Sequence, residues 1–310
     1  MISLALSATI EYTQVMLFER QRLLLALVGA NGGKLNRVDL QKLLFLYTQT
    51  CEQAPSYEFV PFKKGAYSFT AVADKAKLTE KGFLSDGEDW HLTESGSRES
   101  RTPAEAARKV ALFSERRRGL RGNALIASTY RSHPYWAMRS RIASTVLQGD
   151  SAALAAIAWA KPERAAAGLA SIGYEGCSLE GYLNTLLKAG VSVLCDVRKN
   201  PLSRKFGFSR KTLSHACAEL DIRYEHLPQL GIASDARQDL KSLADYQALF
   251  RQYEQTVLAN EPDAVNQIAA WVTGGACVAL TCYEAQPEYC HRTRVARAVG
   301  KRIGAQVTDL

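Results

Sequence analysis

The sequence has no run of about 18 consecutive apolar residues, so neither a membrane span nor a membrane partner is expected. Its opening, MISLALSATIEY, lacks the basic leader and long apolar core of a secretory signal. The seven cysteines are odd in number and follow no framework spacing, which excludes a disulfide scaffold and points to reduced, buried thiols in a cytoplasmic protein. Neither GxGxxG nor GxxxxGK(S/T) occurs, which argues against a dinucleotide or P-loop nucleotide cofactor, and no cofactor is called for. CxxC pairs are missing too, so no metal centre of the familiar closed kind is expected.

What is present is a 310-residue chain, 47% hydrophobic and 23% charged, long enough for two globular domains with separate cores. Its net charge of +8 is unevenly placed. From Ala167 onward there are 16 Lys/Arg against 15 Asp/Glu, whereas the first 166 residues hold 23 against 16. That asymmetry fits a polyanion-facing module joined to a nearly neutral one.

The first half reads as helical. EYTQVMLFERQRLLLALVGA has helical periodicity and stops at Asn31-Gly32-Gly33. Asn36 can cap a second helix with Leu40, Leu43, Leu44 and Tyr47 on its buried face, leaving Arg37, Gln41 and Lys42 pointing elsewhere. YEFVPFKKGAYS is a strand candidate, and Phe69, Val72, Ala73 and Ala76 mark the face of a third helix from about Ser68 to Lys81. GFLSDGEDWHLTESG reads as a hairpin.

Three helices and a hairpin are the parts of a winged helix. On DLQKLLFLYTQ, FVPFKKGAYSF and KLTEKGFL, this half resembles the winged-helix segments fused to other domains in prokaryotic proteins. That implies DNA binding, with dimerisation or protein docking as the alternative, so a homodimer stays open. The third helix carries Asp74 and Glu80 and lacks the Arg, Asn or Gln of bidentate base contacts, so phosphate contact is expected to dominate. Candidate nucleic-acid contacts are Arg37, Lys42, Lys63 and Lys64, and Arg116, Arg117, Arg118 and Arg121 of the following basic stretch. That stretch, about 101–166, interleaves arginines with Tyr130, Tyr135 and Trp136; it suits a stacking track, or a helical linker whose aromatics pack on a neighbour.

From about residue 167 the chain alternates apolar strands with helices, which implies a mainly parallel, doubly wound α/β sheet. Ligands of such sheets bind beyond the carboxyl ends of the strands. That rule selects Gly173-Tyr174-Glu175, Asp196-Val197-Arg198, Leu227 to Gly231, and Cys282-Tyr283-Glu284. The segments GYE, DVR-x-x-P-x-S, HLPxLG and CxE-x5-CHR resemble domain-of-unknown-function family 488 over about 169–310. The resemblance implies nucleic-acid-related work, base excision or modification in DNA repair or phage defence.

Cys282, Glu284, Cys290 and His291 could ligate a metal, or a cysteine could serve as nucleophile. An anion pocket fits better: Arg198, Ser203, Cys282, Cys290, His291 and Arg292 are expected to hold a phosphate at the start of the last long helix. Tyr174, Glu175, Asp196 and Glu284 are the expected catalytic groups, the carboxylates as acid or base in a glycosylase-like step on an extruded base. A sensor of a small phosphorylated ligand, coupled to the winged helix and without turnover, is the alternative.

Overall fold

The computed structural model describes residues 16–101, 103–162, 166–233, 235–237 and 240–310. The first turns of the expected opening helix and the centre of the PERA stretch fall outside the described residues. No helix among the described residues is long and apolar enough to cross a membrane.

The first half is built on α1 (Glu19–Gly29) and α2 (Arg37–Cys51), joined through a two-residue strand β1 (Lys34–Leu35). Asn36 Oδ1 accepts from the Val38 and Asp39 amides at 3.0 and 2.8 Å, so α2 starts where its cap dictates. Leu40, Leu43, Leu44 and Tyr47 are buried as their spacing requires. Gln41 and Lys42 are buried as well, against expectation. The reason is β2 (Val60–Phe62) and β3 (Gly65–Tyr67), an antiparallel hairpin turning at Lys63-Lys64 that covers α2's second side. Gln41 pairs with both backbone groups of Ser68, and Lys42 Nζ donates to Ala66 O at 2.7 Å.

Helix α3 (Phe69–Glu80) is capped by Ser68 and buries Ala71, Asp74 and Leu78, a face rotated from the expected one; Val72 is exposed. Asp74 lies inside because Arg20 Nε, Gln21 Nε2 and Tyr57 OH donate to it at 2.6, 2.9 and 3.0 Å. The expected hairpin is narrow: Leu84 bridges Leu92, and β4 (Trp90–His91) pairs with β1.

Residues 103–162 are helical and packed. After α4 (Glu94–Glu99), α5 (Ala104–Glu115) sends Val110 and Phe113 into the core formed with α1 and α2. The helices α6 (Gly122–Ser132), α7 (Ala143–Val146) and α8 (Ser151–Trp159) form a small cluster around Tyr130 and Leu147. Tyr130 is buried with its hydroxyl on Ser140, and Trp136 packs edge-on against Phe45 at 5.3 Å, so these aromatics are packed rather than displayed as a stacking track.

The second half is the expected α/β unit. It comprises β5 (Gly168–Gly173), α9 (Leu179–Lys188), β6 (Val193–Asp196), α10 (Arg210–Glu219), β7 (Arg223–His226), α11 (Leu243–Thr256), α12 (Pro262–Thr273), β8 (Cys277–Cys282), α13 (Arg292–Ile303) and β9 (Val307–Asp309). The five strands pair in parallel in the order β7-β6-β8-β5-β9. Helices α9 and α10 cover one face, packing on Ala170, Ile172, Leu194 and Ala279. Helices α11, α12 and α13 cover the other, packing on Leu169, Val193, Cys195, Val278 and Leu280.

The two halves are docked through α9. Glu180, buried, accepts from Ser68 Oγ, Thr70 N and Thr70 Oγ1 at 3.0, 2.7 and 2.9 Å. Burial raises its pKa, against those hydrogen bonds. Asn184 Nδ2 donates to Phe59 O at 2.6 Å, and Lys63 pairs with Glu219 at 2.5 Å. The amino end of α3 is therefore covered by the second domain.

Candidate functional site

Side chains alternate across a strand, so neighbouring residues at a strand end leave by opposite faces of the sheet. Leu194 and Asp196 of β6 point toward α9 and α10, whereas Cys195 and Val197 face the other way. On β8, Thr281 shares the face of Asp196, its partner in register, and Cys282 points to the opposite side. The residues expected at one rim are therefore two clusters separated by the sheet.

The first cluster is an ion pair in a dry setting. Arg198 donates through Nε to Asp196 Oδ1 at 2.8 Å and through Nη2 to Oδ2 at 2.5 Å. Its Nη1 donates to Tyr174 OH and Phe208 O at 2.8 and 2.9 Å. Tyr224 OH donates to Asp196 Oδ2, also at 2.5 Å. Tyr174 lies flat on Phe208, ring centroids 4.3 Å apart. Burial opposes the Arg198 charge, but the Asp196 carboxylate more than offsets it and the pKa is raised. The structure thus brings Arg198, Asp196 and Tyr174, three of the expected site residues, into one hydrogen-bonded group. Ser203 likewise organises its own loop, exchanging bonds with Ser209 and the Lys205 amide.

Arg292 is also differently employed. It is 1% exposed, and donates to Glu284 O, to Ala285 O at 3.1 Å and to Ser171 Oγ at 3.2 Å. It therefore fastens the loop that follows β8. Gly173 lets that loop lie directly on β5, since a Cβ there would stand 1.9 Å from Glu284 O. Glu175, exposed, holds the same loop by accepting from the Ala285 amide at 3.0 Å.

The second cluster gathers Cys282, Glu284, Cys290 and His291, as the sequence motif suggests, and adds Arg237. His291 Nε2 donates to Val197 O at 3.0 Å, which leaves Nδ1 as the acceptor. Arg237 Nη2 donates to that Nδ1 at 2.9 Å, and Nη1 to Glu284 Oε1 at 2.8 Å. Cys282 Sγ lies 3.4 Å from Glu284 Oε2 and 3.8 Å from His291 Nδ1. The ligand atoms of Cys282, Cys290 and His291 all lie within 4.8 Å of one another, and all three residues are buried. Cys290's hydrogen bond, then His291 and Arg237, hold the Cys282 thiol well below its ordinary pKa against burial. Burial pushes Cys290 well above its own, and burial with the Cys282 charge raises Glu284. The Tyr253 ring sits edge-on to the imidazole at 5.7 Å. Sequence reasoning missed Arg237, which comes from a short turn between β7 and α11 with no periodic pattern to mark it.

Residues 178–299 match the domain of unknown function DUF488. The DUF488 match runs from the cap of α9 through α13, so it takes in both clusters apart from Tyr174 and its neighbours on β5. It does not extend into the N-terminal half. No curated protein and no solved structure matches the chain.

Four expected nucleic-acid residues do meet. Arg37, Lys42, Lys63 and Lys64 line a cavity of about 430 Å³ together with Gln41, Phe62, Tyr67, Glu88 and Asp89. Phe62 and Tyr67 stack on each other at 4.6 Å, giving the cavity an aromatic wall. Lys42 is buried on its floor, and burial, aided by Lys64, lowers its pKa to about 7. The arginines of 116–121 lie elsewhere. Arg117 covers the Phe113 ring at 4.0 Å, Arg118 pairs with Glu115, Arg121 donates to Asn31 and to Leu120 O, and Arg116 is exposed.

Proposed function

We propose that the protein binds nucleic acid, DNA in the first instance, through the basic cavity of its N-terminal half, and that its DUF488 domain acts on a nucleotide or base of the bound strand. The observation that carries the binding is the convergence of Arg37, Lys42, Lys63 and Lys64 beside the stacked Phe62 and Tyr67. Cations with aromatic faces suit a phosphodiester strand with an unstacked base. The reading takes the first half as a winged-helix relative on its element order. It does not use α3 as a recognition helix, because a groove-reading helix enters by its amino end and here Ser68 and Thr70 are bonded to Glu180.

For the chemistry, the two faces of the sheet differ in what they leave available. Asp196 is ion-paired with Arg198 and accepts from Tyr224, so a glycosylase-like step would draw on Glu284 and the cysteines beside it rather than on the expected carboxylate set. Mass spectrometry of ordinary and phage-modified DNA after incubation with the protein tests this, by a freed or altered base formed at low protein-to-DNA ratio. Binding is tested by salt titration with oligonucleotides. Affinity should fall with a log–log slope of roughly 0.9 per phosphate neutralised on duplex DNA, and Lys64→Glu with Arg37→Glu should weaken it at least tenfold. A flat salt response would end the proposal.

One observation favours a second reading, a sensor without turnover. Lys63 lines the cavity and also pairs with Glu219 of α10, so a phosphorylated ligand taken up there competes directly for a contact between the two halves. Binding with no change in the DNA would decide for the sensor.

A further inference from the structure

We infer that Cys282, Cys290 and His291 bind a zinc ion, with the fourth coordination position turned toward Glu284. Two thiolates and an imidazole are the donor set zinc takes in proteins, with Zn–S near 2.3 Å and Zn–N near 2.0–2.1 Å. Such bonds place neighbouring ligand atoms of a tetrahedron roughly 3.5–3.8 Å apart. Cys282 Sγ and His291 Nδ1 are already 3.8 Å apart, and all three donors lie within 4.8 Å of one another. Closing on the ion therefore asks for movements of about an ångström, within the reach of side-chain rotation.

The supports of the site point the same way. Cys282 stands at the end of the central strand β8 and His291 at the start of α13, two rigid elements brought together by the loop that Arg292 fastens. A metal-binding histidine commonly donates its second ring nitrogen to a carbonyl, which fixes the tautomer and aims the other lone pair at the ion. His291 does this with Val197 O. Two thiols and an imidazole converge here within an otherwise apolar layer, with Glu284 and Arg237 beside them.

Charge closes as well. Two thiolates balance one divalent cation, and Arg237 balances Glu284 at 2.8 Å. Arg237 Nη2 occupies His291 Nδ1, so metal entry displaces that one hydrogen bond while the Glu284 pair can remain. Arg237 is thus the group standing in the metal's path. With three protein ligands and a carboxylate beside the open position, the arrangement is that of hydrolytic zinc centres rather than closed structural ones.

The inference goes beyond nucleic-acid binding, and its test uses no nucleic acid, so either can fail alone. Full-length protein purified with zinc in the medium should carry one zinc per chain. Replacement by cobalt(II) should give a near-ultraviolet thiolate-to-cobalt band and the intense visible bands of a tetrahedral site. Cys290→Ser and His291→Gln should each lower metal retention against a chelator at least tenfold, Cys51→Ser should leave it unchanged, and Arg237→Ala should keep or tighten it. Cobalt titration of the reduced wild-type protein needs no variant to fold. Absence of those bands, or a wild-type protein holding only trace zinc with Cys282 and Cys290 joined as a disulfide, would overturn the assignment.

Discussion

A lysine on a cavity floor whose ammonium is bonded to no carboxylate is held there at a cost, which the more distant Asp39 only partly relieves. Lys42 donates to a single carbonyl, Ala66 O, and its pKa falls from 10.5 to about 7 because burial penalises the ammonium and Lys64 adds to the penalty. The unfolded chain keeps the ordinary value, so between about pH 7 and 10.5 it holds more protons than the folded one and stability rises with pH across that window. Below about 7 both states are protonated and the penalty is complete. Lys42→Met should therefore stabilise the protein most near pH 6, by a few kcal/mol, and lose that advantage as pH approaches 10. Urea unfolding of the two proteins at pH 6 and pH 9 measures it; an equal difference at both would place the ammonium in water. Keeping such a lysine makes sense where an anion arrives to pair with it. Arg198 makes the opposite case, since a buried guanidinium with two bonds to Asp196 is satisfied without any ligand.

At the scale of elements, the close approach of the loop after β8 to β5 decides where the second cluster sits. Gly173→Ala would push its methyl into Glu284 O, which a Cβ would meet at 1.9 Å, and the backbone there cannot yield without breaking the Arg292 bonds. The expected result is a loss of about 1–3 kcal/mol together with faster amide exchange at 283–286 and weaker metal retention. Exchange unchanged in that loop would mean that it has room to shift. The glycine in HLPxLG has the same basis, since a Cβ on Gly231 would meet the Lys199 amide at 2.1 Å. These motif positions were legible in the sequence, as were all five strands, three of them (β5, β6 and β8) as continuous apolar runs between helices. What the carboxyl-end rule did not convey was parity. Alternation puts Asp196 on the face of Leu194 and Cys282 on that of Leu280, but only the register, with Cys195 beside Leu280, makes those faces opposite. Arg237 had no such signal, and neither had the hairpin over α2, since only tertiary packing tells an amphipathic helix that its polar side is to be covered.

For the whole molecule, the question is how an event in one half reaches the other. The N-terminal half sits on the face formed by α9 and α10, while the cysteine–histidine cluster lies beneath α11 and α13 on the far side of the sheet. The basic cavity and that cluster therefore cannot form one pocket: a strand held in the first must run round the domain to reach the second, and communication through the protein itself passes through the docking contacts. Glu180 is the fixed point among these, with three hydrogen bonds from Ser68 and Thr70. Lys63 is the adjustable one, because its partner Glu219 and any phosphate in the cavity draw on the same ammonium. A partly exposed ion pair is worth under about 1 kcal/mol, so removing Glu219 should release Lys63 at little cost to the fold. Glu219→Ala is accordingly expected to tighten oligonucleotide binding by roughly two- to fivefold at low salt, with the gain fading as salt rises. Fluorescence anisotropy of a labelled oligonucleotide against both proteins reads this directly. Weaker binding in the variant would show instead that Glu219 positions Lys63 for the ligand, and the two halves would then cooperate in binding rather than compete.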